Sequence, residues 1–279
     1  MIYLILAVAS SAAISIAMRA SEKHVKNELA MFMSNYLVCM ALSFGFMENK
    51  THFFSSVSSS GLTILLGGLS GVMFLANFLF YKYNMKQNGV VMSATFMKLG
   101  LLVPMAVSIF AFGEQPEALQ LVGFVLAVAA IVLINRNQDG GAVRSGGSLL
   151  LLLLCGGCGD VMAKIFEELG EKELEKQFLF YTFVFSLVLC FVLMLRKKQF
   201  PGVPEALFGA LIGIPNFFSV KFLLRSLESV PAVIAYPTYS VATLLVITLV
   251  GVLVFREKLE KRQWFALGII LLALALLNI

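Results

Sequence analysis

Residues 230–279 read VPAVIAYPTYSVATLLVITLVGVLVFREKLEKRQWFALGIILLALALLNI. Two apolar runs flank one short charged turn, Arg256-Glu257-Lys258. Each run is about 20 residues, enough to cross a hydrocarbon core of about 30 Å at about 1.5 Å per residue. So short a turn makes the two helices antiparallel neighbours. An earlier stretch, Ser93 to Ile134, reads SATFMKLGLLVPMAVSIFAFGEQPEALQLVGFVLAVAAIVLI. Shifted by 143 positions, Phe112, Glu114, Glu117 and Gln120 fall on Phe255, Glu257, Glu260 and Gln263. The C-terminal hairpin is a second copy of something already written once.

Composition agrees with a membrane protein. Hydrophobic residues make up 59% of 279 and charged residues 13%, against about 25% charged in soluble domains. Only helices and closed barrels satisfy the backbone in lipid. The apolar runs are continuous rather than alternating, which excludes the barrel. The net charge of +5 does not point to nucleic acid, because the basic residues stand singly at helix ends, where snorkelling and orientation explain them. Cys39, Cys155, Cys158 and Cys190 all lie in apolar runs, so no disulfide framework is expected. The first run, Ile2 to Met18, lacks a basic n-region and an A-x-A end, and reads as a retained helix.

In order, the sequence predicts helices over Ile2–Met18, Leu29–Met47, Gly61–Tyr83, Gly89–Phe112, Pro116–Ile134, Leu149–Glu167, Phe178–Leu195, Pro204–Leu227, Pro231–Phe255 and Arg262–Leu277. A serine-rich loop, Glu48–Ser60, follows the second. The Gly/Ser-rich stretch 136–148 is a linker between two five-helix halves, 1–135 and 149–279. The fold class is thus all-α, with ten transmembrane helices in two repeats. Further correspondences support the division: Arg19, Glu22 and Glu28 match Lys164, Glu167 and Glu173 at a shift of 145, and Lys82 matches Arg225 at 143. With five helices per half, the second copy enters the membrane inverted. Inverted repeats build alternating-access transporters, with the binding site near the midplane.

Several motifs carry a family resemblance: Asn216 within Gly213-Ile-Pro-Asn-Phe-Phe218, the run Pro231-Ala232 to Ala235-Tyr236-Pro237, the Phe-x-Glu at Phe112/Glu114 and Phe255/Glu257, and Gln263. Over essentially its whole length the chain resembles the drug/metabolite transporter superfamily, in its ten-helix class of two EamA-type domains. Its first half departs from the pattern, with Ser93-Ala94 where the second has Tyr236-Pro237. The resemblance implies a basket of ten helices around a central cavity lined by the first, third, fourth, sixth, eighth and ninth. It also implies export or exchange of small metabolites across the cell (inner or plasma) membrane.

Lys98 lies nine residues after Gly89 and fourteen before the end of its apolar run. That places it near mid-membrane, where a charge costs roughly 2.5–3.5 kcal/mol on insertion scales. It reads as an anchor for an anionic or zwitterionic substrate; the structural alternative is a pair with an acid or helix-end carbonyls. Lys221 is less deep and within snorkelling reach. The repeat counterparts of Lys98 and Lys221 are Val241 and Phe78, so the shared scaffold needs neither charge.

Asp160 and Lys164 stand i, i+4 on the sixth helix, where such a pair is worth a few tenths of a kcal/mol in water. They neutralise each other, or Asp160 is a protonatable coupling site with Lys164 beside it. The first helix carries no acid, unlike small multidrug resistance proteins, which disfavours proton-coupled expulsion of organic cations. Gly157-Cys158-Gly159-Asp160 spells the G-x-G-D of intramembrane aspartyl proteases. That chemistry needs two carboxylates sharing a proton, and the only other aspartate, Asp139, lies in the linker. The glycines read as close helix packing. Asn77 and Asn216 can link helices or touch substrate. Pro237 interrupts the ninth helix as a hinge, and Tyr236 and Tyr239 offer hydroxyls about 8 Å or more inside the membrane, deeper than an aromatic belt. Glu114 and Glu257 read as turn and capping groups.

No metal-ligand cluster and no phosphate-binding G-x-x-x-x-G-K-[ST] occurs, so the reading is not an enzyme and has no cofactor. A non-transporting membrane scaffold is the rival class, but a scaffold gains nothing by burying Lys98. The expected partners are the lipid bilayer and a small anionic or zwitterionic metabolite, such as an amino acid or organic acid. Aromatic or cationic drugs are the alternative, since 25 phenylalanines can line an apolar cavity. The protein is expected to be a monomer. Loops on the side of the termini hold four basic residues (Lys50, Lys172, Lys176, Arg225) and the other side fourteen. By the positive-inside rule the termini lie outside the cytoplasm, whereas the resemblance is to a superfamily in which cytoplasmic termini are common.

Overall fold

The structure is a computed structural model, and it describes residues 1–21, 24–46, 57–135, 146–198 and 200–253, with seven more residues between 265 and 276. Among them the regular structure is helical: α1 (Ile2–Ser21), α2 (Glu28–Gly45), α3 (Val57–Leu99), α4 (Leu102–Phe112), α5 (Ala118–Asn135), α6 (Gly146–Leu169), a 3₁₀ turn (Lys172–Leu174), α7 (Glu175–Arg196), α8 (Val203–Leu227) and α9 (Ala232–Leu253). Six stretches of the described residues are long and apolar enough to cross a membrane: Ile2–Ser21, Glu28–Gly45, Gly61–Asn84, Gly147–Leu169, Lys172–Arg196 and Val203–Leu227. Large apolar side chains such as Phe110, Leu207 and Ile5 stay exposed, as a lipid-facing surface requires. The chain is an all-α membrane protein. Most of the tenth expected helix, Glu257 and Gln263, and most of the loop 48–60 and linker 136–148 lie outside the described residues.

The expected break between the third and fourth helices, at residues 84–88, falls elsewhere. α3 continues to Leu99, and the break comes at Gly100-Leu101. Two local causes are visible. Asn84, fully buried, turns its amide inward: Nδ2 donates to Phe80 O (2.8 Å) and Ser148 O (3.0 Å), while Ser148 Oγ donates to Asn84 Oδ1 (2.7 Å). A residue that read as loop is thereby satisfied inside a helix. Pro104, in the first turn of α4, has no N–H for the carbonyl of Gly100 and excludes it sterically. The helical ladder breaks there.

Contacts group the chain into two units, and each draws on both sequence halves. One comprises Ile2–Leu75 and Met162–Glu228; the other comprises Met1, Ala76–Val161 and Ser229–Ile279.

In the first unit α8 packs on α1 and α2, and α2 packs on α7. Two glycine pairs spaced i, i+4 set the closest crossings. A Cβ added to Gly209 would lie 2.5 Å from Met31 O and Ser34 Cβ and 3.0 Å from Asn35 N; one on Gly213 would lie 2.7 Å from Asn35 O and 2.9 Å from Val38 Cβ. A Cβ on Gly67 would lie 3.0 Å from Phe178 O, 2.8 Å from Tyr181 Cβ and 3.3 Å from Thr182 N; one on Gly71 would lie 2.5 Å from Thr182 O and 3.0 Å from Phe185 Cβ. The two sets correspond position by position, α2 to α7 by 147 residues and α3 to α8 by 142. The capping bonds correspond too: Cys39 Sγ donates to Gly213 O (3.2 Å) as Ser186 Oγ donates to Gly71 O (2.9 Å). Small residues are what lets helix backbones approach this closely in lipid. Glu205, in the first turn of α8, accepts from Gly202 N (3.1 Å), Lys26 N (3.1 Å) and Asn27 N (3.3 Å), and so ties the start of α8 to the start of α2.

In the second unit α9 packs on α4 and α5. Gly113 (φ 70°) ends α4 in the left-handed conformation that glycine adopts without strain. The chain turns there so that Glu114 accepts from Ala232 N (3.2 Å) and Val233 N (3.0 Å). A carboxylate therefore closes the N-terminus of α9, where the helix dipole favours negative charge. The capping role expected of Glu114 is present, and it acts on a helix more than a hundred residues away.

Candidate functional site

In the first unit, α1 and α8 leave an open groove of about 430 Å³, lined by Ala9, Ser10, Ala13, Ile214, Pro215, Phe218 and Phe222. Small side chains on α1 make the room, and aromatic rings on α8 wall it. Phe218 stacks on Phe222 (centroids 5.5 Å) and meets Phe217 (5.2 Å) and Phe46 (5.9 Å) edge-on; Phe222 stacks on Tyr3 (6.2 Å). Pro215 leaves the Leu211 carbonyl without its helical donor in the same stretch.

Lys221 lies three residues after Phe218 and four after Phe217 on α8, outside the lining of the groove. Its Nζ stands 3.8 Å from the centroid of the Phe46 ring and 5.6 Å from that of Phe217, and the residue is half-buried. The rings hold the ammonium from one side by cation–π attraction. Of the predicted cationic site residues, it is the one on α8, the helix that walls this groove.

Asn216 points the other way. It is 3% exposed, and its Nδ2 donates to Asn35 Oδ1 at 3.1 Å. Asn35 is fully buried, and its own Nδ2 has no partner among the described residues. Asn216 is thus a clamp between α2 and α8, the structural alternative weighed for it. Sequence reading missed Asn35, for it carries no charge and its counterpart in α7 is Thr182 rather than an asparagine. Lys164 is 3% exposed and pairs with Glu167 (2.9 Å) and Glu168 (2.6 Å), one turn toward the C-terminal end of its helix. Those two glutamates at i+3 and i+4 were legible partners that Asp160 drew attention from. At the same end of this unit Arg225 Nε lies 3.3 Å from buried Glu175, and its Nη1 lies 3.4 Å from Glu228. Glu167, Glu175 and Glu228 also edge a cavity of about 10 Å³, room for one water.

In the second unit, Tyr236 Oη donates to the Asp160 carbonyl at 2.8 Å and is otherwise buried. Its hydroxyl is therefore engaged with the α6 backbone. Pro237 is buried in α9 and deprives the Val233 carbonyl of its helical donor. Tyr239 is half-buried, and Thr243 Oγ1, one turn on, is buried with no partner among the described residues. Asn77 Oδ1 is likewise buried without a partner, 3.2 Å from where a Cβ on Gly156 would stand. Lys98 lies in the last turn of α3, two residues before the break; its side chain lies outside the described residues. Among the described residues no group of three or more His, Cys, Asp or Glu is placed to hold a metal.

A chain of membrane-crossing helices with an open aromatic groove belongs to the class of multi-pass membrane proteins. Comparison narrows that class. Residues 147–279 match the EamA-like transporter family, which supports the resemblance to the drug/metabolite transporter superfamily and makes the cell membrane the usual setting. The chain is 24% identical over 280 residues to an uncharacterized protein of Haemophilus influenzae (strain ATCC 51907 / DSM 11121 / KW20 / Rd), covering 96% of this chain and 93% of that protein. A solved crystal structure superposes with a TM-score of 0.68 at 16% identity, covering 99% of this chain and 94% of the other. That likeness is one of fold.

Proposed function

We propose that this protein is a secondary transporter, exporting or exchanging a small anionic or zwitterionic metabolite such as an amino acid or organic acid. It works by alternating access between two inverted five-helix repeats. The observation that carries the substrate class is Lys221: a half-buried ammonium in a membrane-spanning helix, held over Phe46 on the same helix that walls the open groove. A cation in such a helix is costly unless it faces a cavity or a partner; the Phe46 ring face and the nearby Glu175 carboxylate offset part of that cost. The matched glycine crossings, Gly67 and Gly71 against α7 and Gly209 and Gly213 against α2, support the repeat. The match to EamA-like transporters over residues 147–279 supports transport. Lys98 is proposed as a second cationic anchor, Asp160 as a coupling carboxylate and Pro237 as the hinge of α9.

The aromatic wall favours a second reading, an exporter of aromatic or cationic drugs. The two differ in the sign of charge tolerated. Lys221 already occupies the face of Phe46 where a cationic ligand would bind, so the metabolite reading expects cations to be rejected. A thermal-shift screen of the purified protein against anionic, zwitterionic and cationic compounds tests this, since a ligand stabilises by RT ln(1 + [L]/Kd). The expected result is stabilisation by anions or zwitterions that Lys221→Gln abolishes. Stabilisation by cations, unchanged or increased in Lys221→Gln, would establish the drug reading instead.

A further inference from the structure

The four cysteines fall into two kinds. Cys39 and Cys190 are buried and donate to backbone carbonyls, Cys39 Sγ to Gly213 O (3.2 Å) and Cys190 Sγ to Leu29 O (3.4 Å). Cys155 and Cys158 are both partly exposed, and they stand i, i+3 on one helix within electrostatic reach of each other. At 3.6 residues per turn they lie about 60° apart around α6 and about 4.5 Å apart along it. The two glycines between them occupy the opposite side of the helix. A Cβ on Gly157 would lie 2.6 Å from Gly100 O, and one on Gly156 would lie 3.2 Å from Asn77 Oδ1. Packing therefore fixes the helix on the glycine side and leaves the thiol side uncovered in part.

We propose that Cys155 and Cys158 form a vicinal dithiol that chelates one thiophilic centre, trivalent arsenic or a soft metal ion of like chemistry. Distance selects this over a disulfide. Neighbouring Cβ atoms at i, i+3 on a helix are about 5–6 Å apart, whereas a disulfide needs about 3.5–4.5 Å. The packed glycines resist the unwinding that would close this gap. One bridging atom bonded to both sulfurs at about 2.3 Å, the length of a metal–thiolate bond such as Zn–S, spans it with the helix intact. Soft centres are what thiolates select. With phenylarsine oxide the step balances without redox change. The As–O bonds break, two As–S bonds form, and both thiol protons leave with the oxygen as one water.

The inference does not rest on transport, and its test needs none. The purified full-length protein is treated with phenylarsine oxide in excess monothiol, and intact mass and peptide mass spectrometry are recorded. The expected result is one phenylarsenic group per chain, mapped to the peptide containing 155–158 and removed by 1,2-ethanedithiol. Cys155→Ser and Cys158→Ser should each weaken retention by about 100-fold or more, the lower range of gain from a linked second ligand. Melting curves of both variants that overlay the wild type exclude unfolding as the cause. No adduct in the wild type, an adduct mapped to Cys39 or Cys190, or full retention in either single variant would overturn the proposal.

Discussion

Lys221 and Asn216 sit five residues apart on α8 and do opposite things with their polar atoms. Asn216 spends its amide on Asn35, where an interhelical bond in lipid contributes about 0.6 kcal/mol on average and up to about 1.7. A double-mutant cycle of Asn35→Ala and Asn216→Ala, read by reversible unfolding in mixed micelles, should give a coupling in that range. A coupling near zero would mean the pair packs without bonding. Lys221 has the Phe46 and Phe217 rings beside its ammonium and the Glu175 carboxylate within electrostatic reach. Lys221→Arg should keep most substrate-induced stabilisation while Lys221→Gln loses it. A structural cation would show the same melting shift with and without substrate in both variants. The sequence distinguished neither role. Both residues read as polar groups in an apolar run, and the deciding facts, Asn35 and Phe46, lie some 180 and 175 positions away in the chain. Lys164 shows the local limit of the same reading. Spacing i, i+4 pointed to Asp160, and equal spacing in the other direction reaches Glu168, with which Lys164 pairs.

Helix limits were legible within a few residues for most elements, because apolar runs end where lipid ends. The exception was instructive. Asn84 and Gly89 carry turn chemistry, yet Asn84 finds acceptors and a donor at Ser148, while Pro104 sets the break at Gly100. A tertiary partner overrode a turn signal, and Pro104, four residues after Gly100, imposed a break there. The glycines show what else periodicity leaves out. Gly67, Gly71, Gly209 and Gly213 were visible as small residues, but only contact reveals that each pair meets the same atoms of a partner helix at matching offsets. Overpacking such a crossing costs about 1–3 kcal/mol. Gly71→Val and Gly213→Val should each destabilise by that amount, whereas Gly45→Ala, with nothing within 4 Å of its added Cβ, should stay within about 0.5 kcal/mol of wild type. Equal effects at all three positions would remove the crossings from the account. Glu114 belongs to this scale as well: Glu114→Ala strips two N–H groups at the start of α9 of their acceptor and should cost about 1–2 kcal/mol, as loss of a helix cap does.

Orientation is a property of the whole chain, and it is where charge and resemblance give opposite answers. With the ten crossings that the sequence predicts, fourteen basic residues fall on one side, in clusters such as Arg196-Lys197-Lys198 and Lys258 to Arg262, close to the ends of apolar runs, where the bias acts. The four on the other side are dispersed, and one of them, Arg225, faces Glu175 and Glu228. The rule counts lysine and arginine rather than net charge, so the pairing of Arg225 does not create the imbalance; four against fourteen does. With those ten predicted crossings both termini share one side, and the charge count predicts that side to be outside the cytoplasm. A C-terminal green fluorescent protein fusion should therefore stay dark, and a C-terminal alkaline phosphatase fusion should be active. Moving charge tests the cause: replacing Arg196, Lys197 and Lys198 with glutamine removes three of the fourteen and should shift some chains to the fluorescent orientation. Bright fluorescence from the unaltered chain would show that the fold's own insertion order, not its loop charges, sets the topology.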